Sequence, residues 1–201
     1  MCLDLGAPRR NLPAMLRHLL ALACVTPMFV GPAVGYDYRT LHLIEDRRTH
    51  AIVRVSGLPG DGDPPQRGRA DCNGIDALAR RERNIALAFG TMFQRSGIHI
   101  DKILTSRICR QIQAARMLAI GPVTELDVLD PADPAESVDR VDRLLSYLDG
   151  LRPGETALLL AHQATIEALT GEQLGLGEGL VFTLPPFGAP RVRGRFGLPP
   201  H

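Results

Sequence analysis

The sequence predicts a three-layer α/β/α sandwich around a mainly parallel sheet, and three observations carry that expectation. Short apolar runs alternate with segments of helical period along the chain. Two of the runs do not alternate, as strands buried on both faces do not: AIVRV at 51–55 is apolar but for Arg54, and TALLLAH at 156–162 is a continuous apolar run ending in a polar residue. Basic and polar residues stand where three of the runs end: Arg54, the segment 105–110, and His162. Open α/β sheets bind ligands at such carboxyl ends.

Taken in order, residues 36–50 read as polar and irregular, with Leu41, Leu43 and Ile44 available to pack on the domain. AIVRV is β-branched and bounded by Gly57 and Pro59, hence a strand. A loop rich in Gly, Pro and Asp fills 56–76; loops of that length in compact domains commonly carry function. Leu78, Ile85, Phe89, Met92 and Phe93 then share one helical face, and Gly97 stops the helix. IDKIL at 100–104 is a second strand, followed by Thr105 and Ser106 as N-cap candidates for a helix with Ile108, Ile112, Ala115 and Ala119 on one face. Gly121 and Pro122 end it, and 124–129 reads as a short strand. Val138, Val141, Leu145 and Leu148 mark a further helix closed by Gly150. The strand at 156–162, a short helix and a last strand at 179–184 complete the expected domain, residues 36–184. The tail, 185–201, is basic and rich in Pro and Gly, which predicts disorder.

Residues 1–35 read as a secretory signal. Arg9, Arg10 and Arg17 precede a short apolar run, and Ala33-Val34-Gly35 suits signal peptidase. The run is interrupted by Pro27 and Pro32, so no stable membrane span is expected. This implies a periplasmic or secreted protein. Lipidation at Cys24 is the lesser reading, because Ala21 stands where a larger aliphatic is usual. With a formal net charge of +1, the chain carries no global field that points to nucleic acid. After cleavage Cys72 and Cys109 remain, either as a disulfide or as two buried thiols. No CxxC suggests zinc, and Asp61 and Asp63 lack the EF-hand pattern, so no metal is expected. Neither Ser56 nor Ser106 sits in a GxSxG motif.

RICRQIQAARMLAIGPVTEL, at the end of the strand IDKILTS, resembles the second arginine segment of the histidine phosphatase superfamily, whose fold is phosphoglycerate-mutase-like. LLLAHQATIEALTGEQLGLGEGLVFTL is similar to that superfamily's second histidine segment, and Asp71-Cys72 resembles the aspartate–cysteine pair of its small exported bacterial members. The similarity covers roughly residues 41–184. It implies a strand ending in an Arg-His pair whose histidine becomes a phosphohistidine, two arginines on the phosphate oxygens, and a second histidine on the transferred group. Such a set supplies what phosphoryl transfer needs: a nucleophile, positive donors and a proton donor.

Carried onto this sequence, Arg54 matches the arginine of the pair, Arg110 the second arginine and His162 the second histidine. The loop SGLPGDGDPP follows Arg54 without a gap, which puts Val55 at the nucleophile's position. Two polar supports also depart from the family pattern: Ile75 and Asp76 replace a polar run with an arginine, and the glutamate after the second arginine corresponds to Gln113. Valine has no lone pair and forms no phosphoenzyme. His50 is the nearest substitute, but lies about 15 Å away at the other end of the strand. The expectation is therefore a degenerate site in which Arg54, Arg110 and His162 bind phosphate, the partner being a phosphorylated small molecule or phosphoprotein, with no cofactor. The alternatives are a residual phosphomonoesterase with a displaced nucleophile, His162 or His50, and a non-catalytic interaction module.

Overall fold

The computed structural model of the chain describes residues 38–46, 48–57, 72, 78–131 and 137–198. The expected signal at 1–35, most of the 56–76 loop, and Asp71, Ile75 and Asp76 lie outside the described residues.

The strands are β1 (Thr49–Arg54), β2 (Lys102–Thr105), β3 (Val123–Glu125), β4 (Ala157–Leu160), β5 (Glu178–Thr183) and β6 (Arg191–Gly197). They form one sheet in the order β3-β2-β4-β1-β5-β6. The pairings β3-β2, β2-β4 and β4-β1 are parallel, while β1-β5 and β5-β6 are antiparallel. β4 lies between two parallel neighbours and every residue of Ala157–Leu160 is buried, which explains the unbroken apolar run.

The helices are α1 (Tyr38–His42), α2 (Arg80–Ser96), α3 (Cys109–Leu118), α4 (Ser137–Asp149) and α5 (Gln163–Thr170). Successive strand residues point to opposite faces, and the core divides accordingly. Ala51, Val53 and Val55 pack on the α2 and α3 side with Ile85, Phe89, Phe93, Ala115 and Leu118. Ile52, Leu159 and Leu180 pack on the α4 and α5 side with Leu144, Leu148, Ile166 and Leu169. This is the three-layer arrangement the periodicity implies. Among the described residues, no helix is long and apolar enough to cross a membrane.

Five details differ from the sequence expectation. The tail is not disordered over Arg191–Gly197, which is β6 on the sheet edge. Its arginines alternate outward while Phe196 is buried, and edge strands commonly carry such charges. Residues 36–50 are not wholly irregular: α1 and a 3₁₀ turn at Leu43–Glu45 place Leu41 and Ile44 in the core. Thr105 and Ser106 do not cap α3, because β2 runs on to Thr105 and the N-cap is Ile108. Ala119 follows α3 with φ of 51° and is exposed, so it leaves the helical face. The strand at 124–129 stops at Glu125, and Asp127–Leu129 turns as a 3₁₀ helix.

Candidate functional site

The register of the parallel strands brings their carboxyl ends to one level. Val53 pairs with Leu160, and Leu160 pairs with Thr105. The next residues of the three strands are therefore neighbours: Arg54 at the end of β1 with Val55 and Ser56 after it, Ser106 after β2, and Ala161 to His162 after β4. The Ala161 N–H donates to the Val53 carbonyl at 3.3 Å and extends the β4-β1 ladder to the last residue before His162.

Arg54 is half-buried, and its Nη1 donates to the Leu174 carbonyl at 2.6 Å. Arg110 stands in the first turn of α3 with a side chain 20% exposed. His162 is the N-cap residue of α5 and is buried. Its Nδ1 lies 3.5 Å from Gln111 Nε2. With the amide as donor, Nδ1 accepts and the ring carries its proton on Nε2. Burial holds the His162 pKa down at about 4; Asp130 pulls it up, and Arg54 and Arg110 push it down. The two arginines are thus close enough for their charges to act on the ring. Neutral near pH 7, His162 offers an Nε2–H donor within reach of the charge of both arginines.

Six buried polar side-chain atoms have no partner among the described residues: Arg54 Nε, Ser56 Oγ, Thr105 Oγ1, Ser106 Oγ, Gln111 Oε1 and His162 Nε2. All belong to the ends of β1, β2 and β4 or to the first turn of α3. Buried polar groups are normally paired, so this concentration at one edge marks a polar site rather than a packing defect. The donor set, two guanidiniums with hydroxyls and an imidazole N–H, suits an oxyanion.

Val55 is fully buried and packs in the cluster on the α2 side. Arg54, alternating with it, reaches the Leu174 carbonyl beside the opposite cluster. His50 is at the far end of β1: its Nδ1 accepts from the Ala157 N–H at 3.2 Å, beside a cleft of about 230 Å³ lined by Arg48, Asp149 and Glu155. It is therefore placed away from Arg110 and His162. Gln113 donates to the Cys72 carbonyl at 3.1 Å. Cys72 and Cys109 are joined by a disulfide, with Cα atoms 5.2 Å apart. It ties the segment ahead of α2 to the residue before Arg110.

Sequence reasoning missed three groups. Asp130 is buried and accepts from the Arg107 N–H, Nε and Nη2 at 2.7, 2.9 and 2.7 Å, which fixes the turn between β2 and α3. Gln111, one residue past Arg110, orients His162. Glu82 is buried in the first turn of α2. Its Oε1 accepts from the Gly57 N–H and its Oε2 from the Ala79 N–H, both at 3.0 Å, and Arg110 Nη1 lies 3.9 Å from Oε1. A glutamate three residues after the N-cap is a readable helix-start signal; that it also faces Arg110 is not readable.

Neither a family model nor a curated protein matches the sequence. Solved structures do match. The protein histidine phosphatase SixA complexed with tungstate aligns with a TM-score of 0.53 and 15% identity, over 74% of this chain and 96% of that one. The open reading frame Rv3214 from Mycobacterium tuberculosis gives 0.51 and 14%, over 77% and 99%. A candidate phosphohistidine phosphatase SixA from Agrobacterium tumefaciens gives 0.50 and 16%, over 75% and 97%. At these identities the likeness is one of fold, and it spans nearly the whole of each matched chain.

Proposed function

We propose that this chain, which has the phosphoglycerate-mutase-like fold of the histidine phosphatase superfamily, binds a phosphate or phosphorylated ligand without forming a phosphohistidine. The observation that carries the reading is the set of buried polar atoms without a partner among the described residues, around Arg54, Arg110 and His162, together with Val55 directly after Arg54. Arg54 and Arg110 supply charge-assisted donors to phosphate oxygens, and His162 adds a neutral N–H. A phosphorylated small molecule and a phosphorylated side chain present the same group to this set.

The test is turnover of p-nitrophenyl phosphate beside calorimetric titration with inorganic phosphate. The expected result is no turnover above buffer and measurable binding that Arg110→Ala weakens at least tenfold. Turnover that His162→Ala abolishes would replace this reading with a residual phosphomonoesterase. Neither turnover nor binding would leave an interaction module. We further propose export to an oxidising compartment. The Cys72–Cys109 disulfide supports this, since such bonds persist there and are rare in reducing cytosol. N-terminal sequencing of protein from the periplasmic fraction checks it; an intact Met1, or purely cytosolic protein, counts against it.

A further inference from the structure

We infer that Glu82 is a resident anion of the phosphate pocket, and that a ligand binds only by competing with its carboxylate. The inference rests on the anion-binding reading above and specifies how that site is regulated. Glu82 is buried with a side chain 8% exposed, so its charge must be met inside the protein. It is met by two backbone N–H groups, of Gly57 and Ala79, and by the Arg110 guanidinium. Backbone N–H groups at a helix start plus an arginine are what a phosphate oxygen seeks. Here an internal carboxylate holds them.

The charges around the site support competition. Asp130 is engaged by Arg107 through three hydrogen bonds, while the Glu82 carboxylate lies 3.9 Å from Arg110 Nη1. An entering phosphate that reaches Arg110 meets a negative charge a few ångströms away, in surroundings where screening is weak. It must displace the carboxylate or tolerate it. Either course lowers affinity relative to the same pocket without the charge. The link from Gly57 to Glu82 also couples the pocket to the chain just beyond Val55, because release of the carboxylate frees the Gly57 N–H.

The experiment is titration of the purified protein with inorganic phosphate at constant ionic strength, comparing wild type with Glu82→Gln. Glutamine keeps the size and one acceptor but removes the charge. Because Glu82 also helps start α2, the double variant Ala79→Ser, Glu82→Gln is measured in parallel; the serine hydroxyl adds a side-chain acceptor for first-turn N–H groups, which Ala79 lacks. Thermal melts establish that each variant folds. The expected result is phosphate affinity at least tenfold higher in both variants than in wild type. If both variants fold and bind phosphate as wild type does, while Arg110→Ala weakens wild-type binding, the inference fails and the anion-binding reading stands. If neither wild type nor the variants bind phosphate, both fail. A change in melting temperature with no change in affinity would assign Glu82 a helix-capping role only, and would also overturn the inference.

Discussion

His50 and His162 occupy opposite ends of neighbouring strands, and burial imposes the same cost on both. Each is held to a pKa of about 4, mainly by desolvation; Arg48 adds to the effect on His50, and Arg54 and Arg110 add to it on His162. In the unfolded chain both titrate near 6.5. Between those values the unfolded state binds more protons than the folded one, so stability is full above about pH 6.5 and falls as the pH drops towards 4. At pH 5 each histidine accounts for a loss of about 2 kcal/mol. Urea unfolding at pH 7 and pH 5 measures it directly. In His50→Asn the amide oxygen replaces Nδ1 as acceptor for the Ala157 N–H without titrating, so the acid loss should roughly halve. Equal stability at the two pH values would mean that neither ring is kept neutral by the fold.

α2 and α3 pack closely because Gly90 has no side chain: a Cβ built there would overlap the Leu118 carbonyl oxygen. That oxygen is backbone at the end of α3 and cannot swing aside. Gly90→Ala should therefore push the helices apart and cost about 1–3 kcal/mol. The functional consequence follows from what the two helices carry. α2 begins beside Glu82, and α3 begins with Cys109 and Arg110, so their separation sets the distance between carboxylate and guanidinium. Gly97 provides the contrast. It ends α2 with φ of 72° and nothing near its missing side chain. Gly97→Ala should cost about 1–2 kcal/mol through left-handed backbone alone and leave phosphate affinity unchanged. Unfolding midpoints and phosphate titrations of both variants decide the matter: equal effects on affinity would show that helix spacing does not govern the pocket.

The parts of the molecule legible in the sequence are those where one physical signal dominates. The runs at 51–53 and 157–161 are apolar because both faces of the sheet are covered, and Arg54, Arg110 and His162 are legible from their positions after three strands together with the family resemblance. Glu82 is legible only as a helix-start residue; that it is buried and faces Arg110 is set by the fold. The last strand was hidden by composition. Arg, Gly and Pro suggested disorder, whereas RVRGRF alternates with period two, charged residues outward and small or apolar ones inward. Its anchor is Phe196, set edge-on against Phe89 and Phe93 with ring centroids 6.1 and 6.0 Å away. The ring fits because Gly179 on β5 has no side chain to oppose it. β6 thus closes the sheet over α2 and belongs to the core. Phe196→Ala should cost about 3–5 kcal/mol, and truncation after residue 190 should cost more, since it also removes the β5-β6 pairing. A dispensable tail would leave the unfolding midpoint where it is. If instead both changes lower it, and the truncated protein also loses phosphate binding, the C-terminal strand supports the pocket through α2, at whose first turn Glu82 stands.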